Sequence, residues 1–100
     1  MVELLENLEE VLIGDEGVLI SLRMGDGLNK GKVEEACTIL DKLAIMWSET
    51  DSIPKKAVDL FINIYPVLMT SQEHYSEHEA REIMDAADQL MIKVINCVNP

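Results

Sequence analysis

The stretch from Pro54 to Met69, PKKAVDLFINIYPVLM, restricts what this chain can fold into more than any other segment. Its apolar side chains recur at helical spacing in two stripes, and its charges are confined to its beginning. The first stripe contains Val58, Phe61, Tyr65 and Leu68, and the second contains Leu60, Ile64 and Val67. A helix that is apolar on most of its circumference needs neighbours on most sides. Each buried side chain of this size contributes roughly 1.5–3 kcal/mol. We therefore expect residues 54–69 to form the central helix of a small all-α domain.

One proline, Pro66, lies inside this segment. Proline has no backbone N–H and its ring crowds the preceding helical turn, so we expect it to kink or end the helix near residues 62–65. Residues 67–70 would then form a separate turn. The stretch is also too short and too interrupted to span a bilayer, so no association with a membrane is predicted.

Two other segments show a clear helical period. Residues 2–13, VELLENLEEVLI, place leucine and valine on one face and glutamate on the other, and Gly14 is expected to end this helix. Residues 32–48 repeat apolar side chains at the spacing of one helical face. Between this segment and the central helix, Asp51 or Ser52 is predicted to cap the central helix.

The remaining two segments differ in how clearly they are defined. Residues 15–24 fit either a short helix capped by Asp15 or an extended run, and a helix is favoured because no second strand is in sight. Ser76 and Glu79 have the spacing of a capping box, which predicts the start of a final helix that runs to about Val98.

These segments predict an all-α fold, a compact bundle of four to five antiparallel helices around the central apolar helix, with residues 1–100 as a single helical domain. A chain of 100 residues buries enough surface for a core without disulfides or a metal. Cys37 and Cys97 each lie among apolar residues, so both are expected to be free, buried thiols. No basic stretch followed by an apolar one opens the chain, which predicts a cytoplasmic protein without a signal peptide.

The charge balance is strongly acidic. Nineteen acidic residues face eight basic ones, which gives a net charge of −11. Such a chain repels nucleic acid and anionic membranes and attracts a basic partner. Residues 51–70 carry no net charge, so the acidity lies on the peripheral helices, where a partner would meet it. The alternative is that the acidity serves solubility alone.

Two sequence patterns resemble binding motifs, and neither is convincing. His74 and His78 are four residues apart, with glutamates nearby, and could chelate zinc on a continuous helix, but the capping box separates them. They stay weak candidates for a metal site, and no cofactor is predicted. The run GDGLNKGK at residues 25–32 fails the spacing of a phosphate loop, and as a calcium loop it offers Leu28 and Lys30 where oxygen ligands are needed. It is interpreted as a connecting loop.

No set of residues predicts catalysis, so no catalytic residue is assigned and the protein is not expected to be an enzyme. The first hypothesis is a small non-catalytic protein that binds a basic protein partner, in the manner of an immunity protein, an antitoxin or a nucleic-acid mimic that inhibits a nuclease. The predicted partner-binding residues form the solvent faces of three helices. They are Glu6, Glu9, Glu10, Glu34, Asp41, Glu82, Asp85 and Asp88.

The second hypothesis is a self-associating helical adaptor or scaffold. The apolar surface of residues 57–69, together with a second stripe at Ile39 and Met46, could exceed what one small core hides, and surplus apolar area often forms a symmetric dimer interface. A homodimer is therefore possible. A metal-dependent helical protein that uses His74 and His78 is the weakest of the three hypotheses.

Overall fold

A computed structural model describes residues 2–99, with side chains from residue 3 onward, and Met1 and Pro100 lie outside the described residues. The described residues form helices and no strand, which confirms the all-α bundle. The helices are α1 (Val2–Ile13), α2 (Val18–Arg23), α3 (Lys30–Met46), α4 (Lys55–Gln72) and α5 (Glu77–Val98). The ambiguous segment at residues 15–24 thus contains a short helix.

The long helix α5 organises the packing. It lies against α3 on one side and α4 on the other, while α1 packs against α3 and α2, and α2 also contacts α4. Ion pairs join Lys30 to Glu82 near the start of α3 and Asp41 to Lys93 further along it. These pairs show that α3 and α5 run in the same direction. A short turn connects α4 to α5, so α4 runs the opposite way.

The core draws side chains from all five described helices. The largest fully buried ones are Leu8, Leu12, Val18, Leu40, Leu43, Ile64, Leu68, Ile83 and Leu90. Trp47, which follows α3, packs edge-to-face on Phe61 of α4, with 6.5 Å between the ring centroids. This contact fixes the end of α3 against the first half of α4.

The helix ends confirm some of the predicted caps and correct others. The Glu79 amide donates to the Ser76 hydroxyl at 3.2 Å, as the capping box predicts. The prediction that Asp15 caps α2 is wrong, because Gly17 holds the N-cap position and no side chain caps this helix. At Gly17 the chain returns against the end of α1 so closely that a Cβ would lie 2.6 Å from the Leu12 carbonyl oxygen.

The cap predicted for α4 is also wrong, although the helix starts where expected. Pro54 holds its N-cap position without a side-chain hydrogen bond, so neither Asp51 nor Ser52 caps the helix. Both residues lie upstream in the connecting turn, where the Ser52 carbonyl accepts the Thr50 hydroxyl at 3.1 Å. A cap must directly precede the first helical residue to reach its free amides.

Pro66 does not end α4, and the separate turn predicted for residues 67–70 is wrong. The helix continues through Pro66 to Gln72. Proline removes the donor for the Ile62 carbonyl. Because Pro66 and Ile62 are both exposed, water can hydrogen-bond to that carbonyl, so the helix tolerates the lost bond.

The burial of α4 differs from the expectation that neighbours enclose most of it. The second predicted stripe is buried at Leu60 and Ile64, but the first is divided. Phe61 is buried, whereas Tyr65 and Val58 are more than two-fifths exposed. Since α4 packs chiefly against α5 and α2, one of its flanks remains open to solvent. None of the described helices combines the length and apolarity needed to cross a membrane.

Candidate interaction surface

Three of the eight predicted partner-binding carboxylates are already engaged within the protein. Glu9 pairs with Lys56 at 3.1 Å, and Asp41 pairs with Lys93 at 3.0 Å. Glu82 pairs with Lys30, whose ammonium lowers the pKa of that carboxyl through a hydrogen bond. A partner would have to compete with these lysines, so these carboxylates are less available than the sequence predicts.

The other five carboxylates are exposed and form no ion pair within the described residues. They are Glu6, Glu10, Glu34, Asp85 and Asp88. The structure brings only some of the predicted set together: Glu34, Glu82 and Asp85 line a shallow cleft of about 190 Å³ between α3 and α5. Glu6 and Glu10 lie on α1, away from this cleft, so the eight residues do not form one continuous site.

The two histidines lie in different surroundings. His78, in the first turn of α5, has its Nε2 atom 3.2 Å from a carboxylate oxygen of Glu82. His74 lies in the α4–α5 turn and lines a separate cleft beside Arg23 and Asn63. Within residues 2–99, no group of three or more potential metal ligands is close enough to hold an ion.

The cysteines lie at the contact between α3 and α5. The Cys97 thiol donates to the Leu40 carbonyl at 3.3 Å, and burial raises its pKa to about 11. Burial also raises the pKa of Cys37, which is half-buried. Both thiols are free, as predicted, although Cys37 is less buried than expected. A raised pKa leaves little reactive thiolate near neutral pH.

The largest unexplained feature is a run of exposed apolar side chains along α4 and α5. On α4, Ile62 is 64% exposed, with Val58 one turn before it and Tyr65 one turn after it. On α5, Ile95 and Val98 are each more than half exposed, and Met84 is 40% exposed. We call these residues, together with the partly buried Met91, the α4–α5 apolar surface: Val58, Ile62, Tyr65, Met84, Met91, Ile95 and Val98.

The packing of α5 places its exposed stripe beside α4. The opposite flank of α5 faces α3, since Lys93 pairs with Asp41 and the Cys97 thiol contacts Leu40. At helical spacing, Met91 and Met84 lie on the flank away from Lys93. That flank is therefore the one turned towards α4.

The packing of α4 completes the surface. One flank of α4 faces α2, where Leu60, Asn63 and Val67 line a cleft with Leu19. The exposed stripe at Val58 lies on the other flank, towards α5. Because α4 and α5 leave one turn in opposite directions, residues equally far from that turn lie side by side. The α4 stripe and the Met84 and Met91 part of the α5 stripe therefore border the same seam, and Ile95 and Val98 continue the surface beyond the start of α4.

The sequence predicts only part of this surface. It predicts surplus apolar area on α4, and further area at Ile39, which is buried, and at Met46, which is 43% exposed but lies on α3, outside this surface. The available signal was the width of the apolar arc on α5. Met84, Met91, Ile95 and Val98 form a second stripe beside the core stripe, wider than one neighbour can cover.

Comparison of the chain with protein-family models, with curated proteins and with solved structures gave no match in any of the three.

Proposed function

We propose that this protein is a small, non-catalytic binding protein whose partner is a basic protein. The observation that carries the proposal is the solvent side of α5, where Asp85 and Asp88 are exposed and unpaired within the described residues, next to the exposed Met84. Apolar side chains supply affinity at an interface, and unpaired carboxylates select a partner of opposite charge. The net charge of −11 would steer such a partner over a longer range.

The specific form that we propose is an inhibitor, of the immunity or antitoxin type or a mimic of nucleic acid, that covers the cationic active site of an enzyme such as a nuclease. A nuclease binds its substrate through lysine and arginine contacts to phosphates. Carboxylates on helix surfaces can replace those phosphates, and Glu34 of α3 lies across the cleft from Asp85 and adds a further carboxylate beside those of α5. A cytoplasmic location agrees with this role and belongs to the same proposal.

The test is the inhibition of a panel of purified basic nucleases, followed by stopped-flow association at increasing salt. For any enzyme that is inhibited, we expect the association rate constant to fall at least about tenfold between roughly 0.02 and 0.5 M NaCl. A rate constant that stays flat over this range would contradict steering by charge.

A matched pair of double variants separates local contacts from net charge. Asp85→Asn with Asp88→Asn removes two carboxylates from α5, while Asp15→Asn with Asp51→Asn removes two exposed carboxylates outside the bundle helices. We expect the α5 pair to weaken binding by about tenfold or more and the control pair by about twofold or less. Equal losses would show that only the total charge matters.

The α4–α5 apolar surface favours a second candidate function, a self-associating adaptor. An exposed apolar surface on a small protein is a common basis for a symmetric dimer. Light scattering at high protein concentration and physiological salt tests it directly. A dimeric mass would support the adaptor, and a monomeric mass would remove it.

A further inference from the structure

We propose that the α4–α5 apolar surface is the docking site for a basic, amphipathic α-helix of the partner. This inference rests on the proposed function and adds to it the location of the site and the structural class of the segment that binds there. Three observations support it: the shape of the surface, the charges that border it and the cost of the alternative occupant.

The shape fits a third helix. Two adjacent antiparallel helices leave a groove along their seam, and a helix packs into such a groove by fitting its ridges between theirs. At a rise of about 1.5 Å per residue, the run from Met84 to Val98 spans about 21 Å, which matches a helix of about four turns. Recognition of this kind uses apolar anchors at positions i, i+3 or i+4, and i+7 of the bound helix.

The side chains of the surface also suit a helical ligand. Ile62 offers a branched side chain on α4, and Ile95 offers one on the last turns of α5, and both are more than half exposed. Met84 and Met91 add flexible thioethers, which adapt to the side chains of a partner. Tyr65, at the end of the surface near the turn, presents an aromatic ring, a residue type that often dominates binding energy.

The charges along the border favour a basic occupant. Asp88 on α5 is exposed and forms no ion pair among the described residues, whereas the exposed Asp59 lines the cleft on the α2 side of α4. Two cations also lie along the border, Lys55 and Arg81, but Arg81 is held by Glu77 at 3.0 Å. A helix with lysine or arginine beside its apolar stripe would face the unpaired Asp88 and the net charge of −11.

The same charges disfavour a second copy of the chain as the occupant. In a two-fold dimer the same border meets itself, so the border charges of one copy, Asp88 among them, would face the same set of charges on the other. Each copy also carries a net charge of −11, and like charges of that size oppose association at low ionic strength. The negative electrostatic field of the protein attracts a basic helix, whereas it repels a second copy of the protein.

The probe for the test is a synthetic peptide of about 18 residues with leucine at i, i+3, i+4 and i+7 and lysine elsewhere, long enough to span the surface. Two control peptides accompany it: one of the same composition with the leucines dispersed, and one with glutamate in place of lysine. Binding is measured by the fluorescence anisotropy of the labelled peptide, and the site is mapped by amide chemical-shift changes in the protein of residues 1–100.

The protein variants are matched by residue type and exposure. Ile62→Glu places a charge in the middle of the α4–α5 apolar surface, whereas Ile45→Glu changes an isoleucine of α3 that is 76% exposed and lies outside this surface. Both side chains are mostly exposed, so we expect both variants to fold, and thermal unfolding tests this expectation. We expect Ile62→Glu to weaken binding of the Lys/Leu peptide at least about tenfold and Ile45→Glu to change it by less than about twofold.

Binding of the Lys/Leu peptide alone, with shifts along residues 58–65 and 84–98, supports the proposal. Equal binding of the dispersed peptide, with shifts at Glu6, Glu10 or Glu34, overturns the docking site but leaves a basic partner in place. Binding of the glutamate peptide as tightly as the lysine peptide overturns both the docking site and the proposed function. A dimer at neutral pH that Ile62→Glu dissociates overturns the basic helix as the occupant.

Discussion

Tyr75 joins the α4–α5 turn to the loop after α2 through a single hydroxyl group. That hydroxyl donates to the Leu22 carbonyl at 2.8 Å and accepts from the Gly27 amide at 3.2 Å. Both bonds are partly buried, and they span a long stretch of sequence. Gly27 has a φ of 91°, in the left-handed region that favours glycine, so the loop can turn its amide to the hydroxyl.

Removing this hydroxyl should loosen the loop. We expect Tyr75→Phe to lower the free energy of unfolding by about 1–2 kcal/mol, because it leaves two partly buried backbone groups without a partner. Urea denaturation followed by circular dichroism measures the change. Tyr65→Phe is the matched control, since the Tyr65 hydroxyl makes no hydrogen bond among the described residues. A loss as large for Tyr65→Phe as for Tyr75→Phe would contradict this account.

The two thiols should differ in reactivity. Cys97 is buried and its pKa is raised to about 11, while Cys37 is half-buried. At a pH of about 8, we expect iodoacetamide to alkylate Cys37 first, because less of its surface must be uncovered. Cys37→Ala and Cys97→Ala assign each phase by mass spectrometry. Faster alkylation of Cys97 in the folded protein would contradict its burial.

The raised pKa of Cys97 also gives a sign to the pH dependence of stability. The folded state holds the thiol proton more tightly than the unfolded state, where the pKa is near its ordinary value of 9.0. The contribution of this thiol to the free energy of unfolding is therefore fully present below pH 9.0 and is lost as the pH rises through about 11. Cys97→Ala should show a smaller loss of stability over this interval than the wild-type protein.

Among the helices, α4 contains the largest departure from local sequence rules. Proline inside a helix costs about 3 kcal/mol relative to alanine, and α4 continues through Pro66 to Gln72. Tertiary contacts of Leu68 and Ser71, which are buried beyond the proline, hold the last turns in place. The helix therefore owes its second half to packing rather than to local preference.

Replacing this proline should stabilise the protein. Pro66→Ala restores an amide donor for the Ile62 carbonyl. The unfolded chain also gains conformational freedom, which reduces the gain in stability by up to about 1 kcal/mol. We expect a net gain of about 2 kcal/mol in the free energy of unfolding, measured by urea denaturation. Pro54→Ala is the control. Pro54 holds the N-cap position of α4, where no backbone amide has to donate a helical hydrogen bond, so this change should give no gain in stability. A loss of stability for Pro66→Ala would show that the proline ring has a packing role.

The elements show what sequence can and cannot specify here. The helical period gave α1, α3 and α5 to within a few residues, and Ser76 gave the start of α5, because these features are local. The sequence could not show that, among the described helices, none covers the flank of α4 that carries Ile62. Exposure of Ile62 depends on which helices become its neighbours, and that is a property of the assembled bundle.

For the candidate interaction surface, too, the sequence predicts the local features but not the contacts between helices. Exposure of Asp85 and Asp88 follows from the period of α5, and it was predicted correctly. The ion pair of Asp41 with Lys93 was not foreseen, since the two residues are far apart in the sequence and meet only because α3 and α5 run in the same direction. The sequence therefore locates the charged residues, but it does not show which of them are already neutralised by an ion pair.

At the scale of the whole molecule, net charge and apolar surface oppose each other. A net charge of −11 makes copies of the protein repel each other at neutral pH, although the α4–α5 apolar surface is open to solvent. Near the isoelectric point of about 4.4 this repulsion disappears. The apolar surface is then free to bury itself against another copy, because hydrophobic association does not depend on charge.

We therefore expect concentration-dependent association as the pH approaches 4.4, measured by sedimentation velocity, with a monomer at pH of about 7. Ile62→Lys should suppress the association, because a lysine in the middle of the surface would have to be desolvated. Ile45→Lys adds the same charge to α3 and shifts the isoelectric point equally, but it should leave association nearly unchanged. Equal suppression by both variants would assign the effect to net charge alone, and the α4–α5 apolar surface would then have no special part in it.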